Sequence, residues 1–167
     1  MRSRTAAALS AGLALAGSVS MAAPAFAEER TCRGRIGATT VDNLRVPDGA
    51  RCVLRGTRVK GTVKVEGGAR LSARRIRVVG NVQAEGARAV NVARSRVGGS
   101  VQVVQGRSSR LTGTAVKGDV QYFENRGRIF VRRNRVDGNL QCKENRRRPR
   151  GGRNVVGGNK EDQCRRL

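Results

Sequence analysis

Apolar and polar residues alternate along most of this chain, in two short stretches that recur together. The first is a seven-residue phrase: VKGTVKV from Val59, VVGNVQA from Val78, VGGSVQV from Val97, VKGDVQY from Val116 and VDGNLQC from Val136, with a degraded copy, VGGNKED, from Val156. Its glycines, Gly61, Gly80, Gly99, Gly118, Gly138 and Gly158, are spaced 19, 19, 19, 20 and 20 residues apart. A weaker copy lies upstream, where Leu44-Arg45-Val46 aligns with Val63-Lys64-Val65. The second stretch precedes each glycine and reads Cys52/Leu54, Leu71/Ala73, Val90/Val92, Ser109/Leu111 and Ile129/Val131. A period of two marks a strand with one buried face. Glu66-Gly67-Gly68, Glu85-Gly86 and Asn125-Arg126-Gly127 supply turn residues between the two.

A unit of 19 to 20 residues is too short for a pair of helices, and nothing in it has a 3.6 period. It does not fit the six-residue multiples of left-handed hexapeptide solenoids, and it lacks the leucine and asparagine pattern of leucine-rich repeats. The fold class it predicts is all-β: a single-domain parallel β-solenoid of about seven coils, forming a rod about 30 Å long. The right hand is favoured, as it is for crossovers between parallel strands. Stacking the units in register gives three inward columns: Val59, Val78, Val97, Val116, Val136, Val156; Val63, Val82, Val101, Val120, Leu140; and Val65, Ala84, Val103, Tyr122, Cys142.

Composition alone points elsewhere. Val, Leu, Ile and Phe make up 37 of 167 residues, close to the fraction of roughly 20% below which a highly charged chain is read as disordered. Their placement in columns reverses that reading. Valine stacked on valine fills a narrow core, which accounts for an aromatic content of only 2%.

The first residues stand outside the repeat. Arg2 and Arg4 precede a small and apolar run at 6–19, and Pro24 leads into Ala25-Phe26-Ala27. This is the three-part layout of a secretory signal peptide over 1–27, with an A-x-A cleavage site. The run is shorter than the roughly 20 residues of a spanning helix. No second apolar run follows, so the chain is expected to be secreted, extracellular or cell-wall associated, without a transmembrane span. The solenoid domain is then 28–167, with 33 basic residues against 12 acidic ones.

Four cysteines in an exported chain suggest two disulfides, with three possible connectivities. Cys32 and Cys52 are 20 residues apart, about one coil; Cys142 and Cys164 are 22 apart, one coil with two inserted residues. Residues stacked one coil apart lie within disulfide reach, so these pairings are expected to staple the two ends. No CxxC motif and no histidine is present, which argues against a metal site and excludes Ser-His-Asp or Cys-His nucleophilic catalysis. No cofactor is implied.

The outward positions carry the remaining information. Gln83, Gln102, Gln121 and Gln141 form one column beside Asn81, Ser100, Asp119 and Asn139, where stacked amides can hydrogen-bond along the axis. Arg58, Arg77, Arg96 and Arg135 form a basic column; Arg75, Arg94 and Arg133 form another two positions upstream, with Arg55, Arg74 and Arg132 beside them. Cations stacked about 5 Å apart repel unless an anion or solvent screens them. Either this face binds a polyanion (extracellular nucleic acid, an anionic polymer of the cell envelope or an anionic lipid surface), or it is a solvated face in an arginine-rich chain. Few aromatics interleave with these arginines, which argues against sequence-specific reading of nucleic acid. The insertion at 146–153, with Arg146, Arg147 and Arg148, reads as a basic loop that can add anion contacts. Glu124 and Glu144 stack one coil apart, a geometry a hydrolase dyad or a calcium seat would use, but the loops here are too short to build a cleft. Arg126 and Arg146 are expected to neutralise this pair. No T-x-T column of an antifreeze solenoid is present.

The V-x-G-[NSD]-V-Q core, the V-P-x-G-A-x-C phrase at 46–52 and the closing G-G-x-N…G-G-N-K-x-x-Q-C phrase at 151–164 resemble a group of uncharacterised secreted actinobacterial proteins. That resemblance implies a β-solenoid and export, and no activity. The coil length is also similar to that of bactofilins, cytoskeletal polymers of right-handed β-helix, which implies head-to-tail self-association as an alternative. The sequence thus leads to an exported, non-enzymatic structural or binding module, ahead of a self-assembling scaffold and, more distantly, a polysaccharide-active enzyme.

Overall fold

The computed structural model describes residues 28–167, and every regular element in them is a β-strand. The strands form three sheets, all paired in parallel. The first has eight strands, from Glu29–Thr31 to Lys160–Asp162; the second has seven, from Arg35–Ile36 to Arg150–Gly152; the third has seven, from Thr40–Val41 to Val155–Val156. The chain visits the sheets in turn, so each circuit is one coil and the molecule is a parallel β-solenoid of about seven coils. The seven-residue phrase turns a corner: it begins in the third sheet, as in Arg77–Val78, and ends in the first, as in Val82–Glu85, with the glycine between them. The signal-peptide segment lies outside the described residues, and no helix among those described is long and apolar enough to cross a membrane.

The expected columns hold. Val63, Val82, Val101, Val120 and Leu140 are successive register partners, and all are fully buried. So are Val65, Ala84, Val103, Tyr122 and Cys142. The third-sheet column is buried from Val59 to Val136, and Val156, in the last coil, is half-buried. Tyr122 is the largest side chain in this narrow interior. It lies opposite Ser109, the smallest residue of its own column, whose hydroxyl donates to Tyr122 Oη (3.4 Å) and to Val90 O (3.2 Å). Burial pushes the Tyr122 phenol up to about 12, the Ser109 hydrogen bond opposing it.

The corners explain the glycine motif. The residue after each glycine offers a short side-chain oxygen to the backbone N–H of its counterpart one coil on. Thr62 N donates to Asn43 Oδ1 (2.9 Å), Ser100 N to Asn81 Oδ1 (2.8 Å), Asp119 N to Ser100 Oγ (3.0 Å) and Asn139 N to Asp119 Oδ1 (2.7 Å). That oxygen passes directly over the next coil's glycine. A Cβ on Gly61, Gly99, Gly118, Gly138 or Gly158 would fall inside the 3.0 Å that real Cβ atoms keep from it. Gly and the short polar residue are therefore one device, and Asn, Thr, Ser and Asp serve equally because each carries an acceptor at the right reach.

The other two corners bury similar ladders. Ser95, Thr114, Asn134 and Asn154 each accept from the preceding coil's backbone, as in Thr114 N to Asn134 Oδ1 (3.0 Å). Asn125 and Asn145 do the same, and their amides also donate to Val103 O and Tyr122 O at 2.9 and 2.8 Å. The outward glutamines form an amide ladder from Gln102 through Gln121 to Gln141, ending on Glu161.

Both expected disulfides are present, with Cα–Cα separations of 5.5 Å for Cys32–Cys52 and 5.2 Å for Cys142–Cys164. Their placement differs from simple stacking. Thr31 pairs with Arg45, so Cys32 falls beside Val46 in the first sheet, whereas Cys52 belongs to the second. This bridge joins two walls across the interior. Cys142 is in register with Asp162, and Cys164 lies in the turn beyond it. The first coil is two residues shorter than a full repeat, Arg35 pairing with Val53 and Thr40 with Arg58, so a separation of 20 residues is not one coil there. At the other end the turn carries Leu167 onto the core, where it is 8% exposed.

Candidate functional site

Outward positions on the second and third sheets, with the corners around them, are segregated by charge. The segments 51–59, 70–78, 88–97, 107–116, 126–136 and 146–156 trace these faces through successive coils. They hold 22 arginines and not one Asp, Glu or Lys. All 12 acidic residues and all five lysines lie elsewhere, on the first sheet, on its corners or at the ends. Arginine-rich coding would raise arginine everywhere; it would not clear two faces of carboxylates. Of the 22, Arg135 alone is in an ion pair among the described residues, with Asp137 at 3.3 Å. The others keep their five guanidinium donors free of carboxylates.

Where each expected residue falls can be read coil by coil. Arg58, Arg77 and Arg96 are successive register partners on the third sheet, and all are exposed. Arg135 is two coils further on, because Ala115 occupies the position between. Arg75, Arg94 and Arg133 line the corner between the second and third sheets, Gly113 standing between the last two. Arg75, Arg77, Arg94 and Arg96 converge on one shallow groove. Arg146, Arg147 and Arg148 belong to a different place, the corner between the first and second sheets and the sheet beside it. The predicted set is thus two sites on one rod.

The left-handed backbone at the first of these corners is unusual. Gly56 and Gly113 adopt it at φ 69 and 58°, where glycine is comfortable, but Arg75, Arg94, Arg133 and Arg153 adopt it at 55, 51, 55 and 57°. A side chain there costs on the order of 1–2 kcal/mol relative to glycine. Four of the six turns carry that cost with arginine.

A third arginine column escaped the sequence reading. Arg88, Arg107, Arg126 and Arg146 occupy the first–second corner in four consecutive coils, each backbone N–H donating one coil back at 2.9 Å. Their spacing of 19, 19 and 20 repeats the glycine interval, which was the signal available. Arg107, Arg126, Arg128, Arg146 and Arg147 line an open groove. The expected neutralisation of Glu124 and Glu144 by Arg126 and Arg146 is not found. Glu124 accepts from Gln105 Nε2 at 2.9 Å and Glu144 pairs with Lys143 at 3.7 Å, which leaves the two arginines to the groove. Along the adjacent sheet a second groove holds Arg110, Arg128, Phe130, Arg147, Arg148 and Arg150. Arg110 lies over the Phe130 ring, 5.4 Å from its centroid.

Chemically, these faces offer unpaired planar forks at a pitch of about 4.8 Å along the axis. Such forks match the oxygens of phosphate and sulfate bidentately. No protein family, curated protein or solved structure matches the chain.

Proposed function

We propose that this protein is an exported, non-enzymatic binding module that holds polyanions, such as anionic polymers of the cell envelope or extracellular nucleic acid, against the arginine faces of a rigid rod. The observation that supports it best is the segregation of 22 arginines from every carboxylate and lysine. Unpaired cations at this pitch repel one another, and an array of phosphates or sulfates offsets that repulsion while releasing its own counterions. Two disulfides suit an oxidising compartment, in keeping with the leader-like first segment.

The test is retention on immobilised heparin and on inorganic polyphosphate across a salt series, with Arg77→Gln/Arg96→Gln and Arg107→Gln/Arg126→Gln as variants. The wild-type midpoint should fall steeply with salt, by roughly 0.7–0.9 in log–log slope for each phosphate contacted, and each double variant should flatten it. Retention no stronger than that of an unrelated protein of equal net charge with scattered acids would overturn the proposal.

A further inference from the structure

One feature of the arginine faces is not needed to bind charge. Phe130 points outward from the second sheet, half-buried, between Arg110 and Arg150 as its register partners in the neighbouring coils. The strand's other faces are accounted for: Ile129 and Val131 enter the core. A ring on this acid-free face gains nothing from a polymer of bare phosphates.

Beside it runs the in-line column Arg88, Arg107, Arg126 and Arg146. The N–H of each arginine bonds to the coil before it, so the four cations are fixed over about 14 Å. Gly127 lets the coils close up there, since a Cβ would collide with the Arg107 carbonyl. The groove above this column and the one around Phe130 share Ser108, Arg128 and Arg147, so they are continuous. A positively charged track joined to a ring is the arrangement by which single-stranded nucleic acid is held. Phosphates follow the cations, and a base stacks on the aromatic ring or on a guanidinium plane.

We infer that the joined groove binds single-stranded nucleic acid, with phosphates on the column from Arg88 to Arg146 and one base stacked on the Arg110–Phe130 pair. This rests on the polyanion reading above and narrows it at this groove. A phenyl ring offers no hydrogen bond to a base edge, so the site takes bases of any identity. A duplex, whose bases stack on one another, has no free face to present.

The disulfide-bonded protein would be titrated by fluorescence anisotropy into labelled oligothymidylate of about ten nucleotides, an abasic strand of equal length and the corresponding duplex. The thymidylate should bind more tightly than the abasic strand by roughly 5- to 100-fold. Phe130→Ala should abolish that preference without changing abasic binding, and Phe130→Trp should keep or enlarge it. Arg107→Gln/Arg126→Gln should weaken both strands alike and lower the salt slope by about 1.4. If Phe130→Ala leaves the ratio unchanged, or if the duplex binds as well as the single strand, the inference fails while the polyanion reading stands on abasic binding. If no strand binds in a salt-dependent way, the broader reading falls as well.

Discussion

Replacing Gly99 by alanine tests the device that sets the repeat. In most positions this substitution is mild, and where the backbone angles suit alanine it stabilises by about 0.4–1 kcal/mol through the unfolded chain. At Gly99 the new Cβ would sit on Asn81 Oδ1, the acceptor of the Ser100 N–H, and 2.9 Å from the Gly80 carbonyl. Asn81 must turn away, which leaves that N–H without its partner at a cost of about 1–3 kcal/mol, and residual crowding adds about 1–3 kcal/mol. Net of the unfolded-state gain, Gly99→Ala should destabilise by about 2–4 kcal/mol. Gly37→Ala is the control: nothing lies within 4 Å of its would-be Cβ, and it should be neutral or slightly stabilising. Urea unfolding with the disulfides intact measures both. Asn81→Ala removes the same hydrogen bond, so the double variant should be less damaged than the sum by about 1–2 kcal/mol. Equal effects at Gly99 and Gly37, or strict additivity with Asn81→Ala, would refute the account of the motif.

Two further outcomes follow from particular residues. Arg94→Gly/Arg133→Gly relieves two left-handed arginines (φ 51 and 55°), so the variant should be more stable by about 1–2 kcal/mol yet elute earlier from heparin; lost stability would show that these side chains hold the fold. Tyr122 has its pKa raised in the folded state from 10.0 to about 12, so the unfolded chain loses its proton first as pH rises. Its contribution to stability is complete below pH 10 and is lost between about 10 and 12, worth about 2–3 kcal/mol. Tyr122→Phe should remove that alkaline decline from urea midpoints measured across this range, relative to wild type, and an unchanged decline would refute it.

The solenoid was legible because its signals are local and repeated. Val63, Val82, Val101 and Val120 announce a column by spacing alone, and parallel stacking admits only one register once the glycines are aligned. The partners of Cys32 and Cys142 were legible from spacing too, but the reason was not. The short first coil shifts Cys32 into the first sheet, and only the paired strands reveal that slip. The candidate site was half legible. Columns through Arg77 and Arg96 follow from the repeat, whereas the column from Arg88 to Arg146 was masked by its irregular surroundings: the turn sequence changes from EGGAR to EGAR and then to ENRGR.

By itself the sequence determined the coil length, the inward columns, the disulfide partners and the excess of positive charge, since each depends on residue type and interval along the chain. Only the tertiary structure decided which arginines share a groove, that carboxylates are missing from two faces, and that Gly99 is required by an oxygen 18 residues behind it. Those facts depend on distances between coils, and a repeat specifies that coils stack without specifying what each corner places against its neighbour.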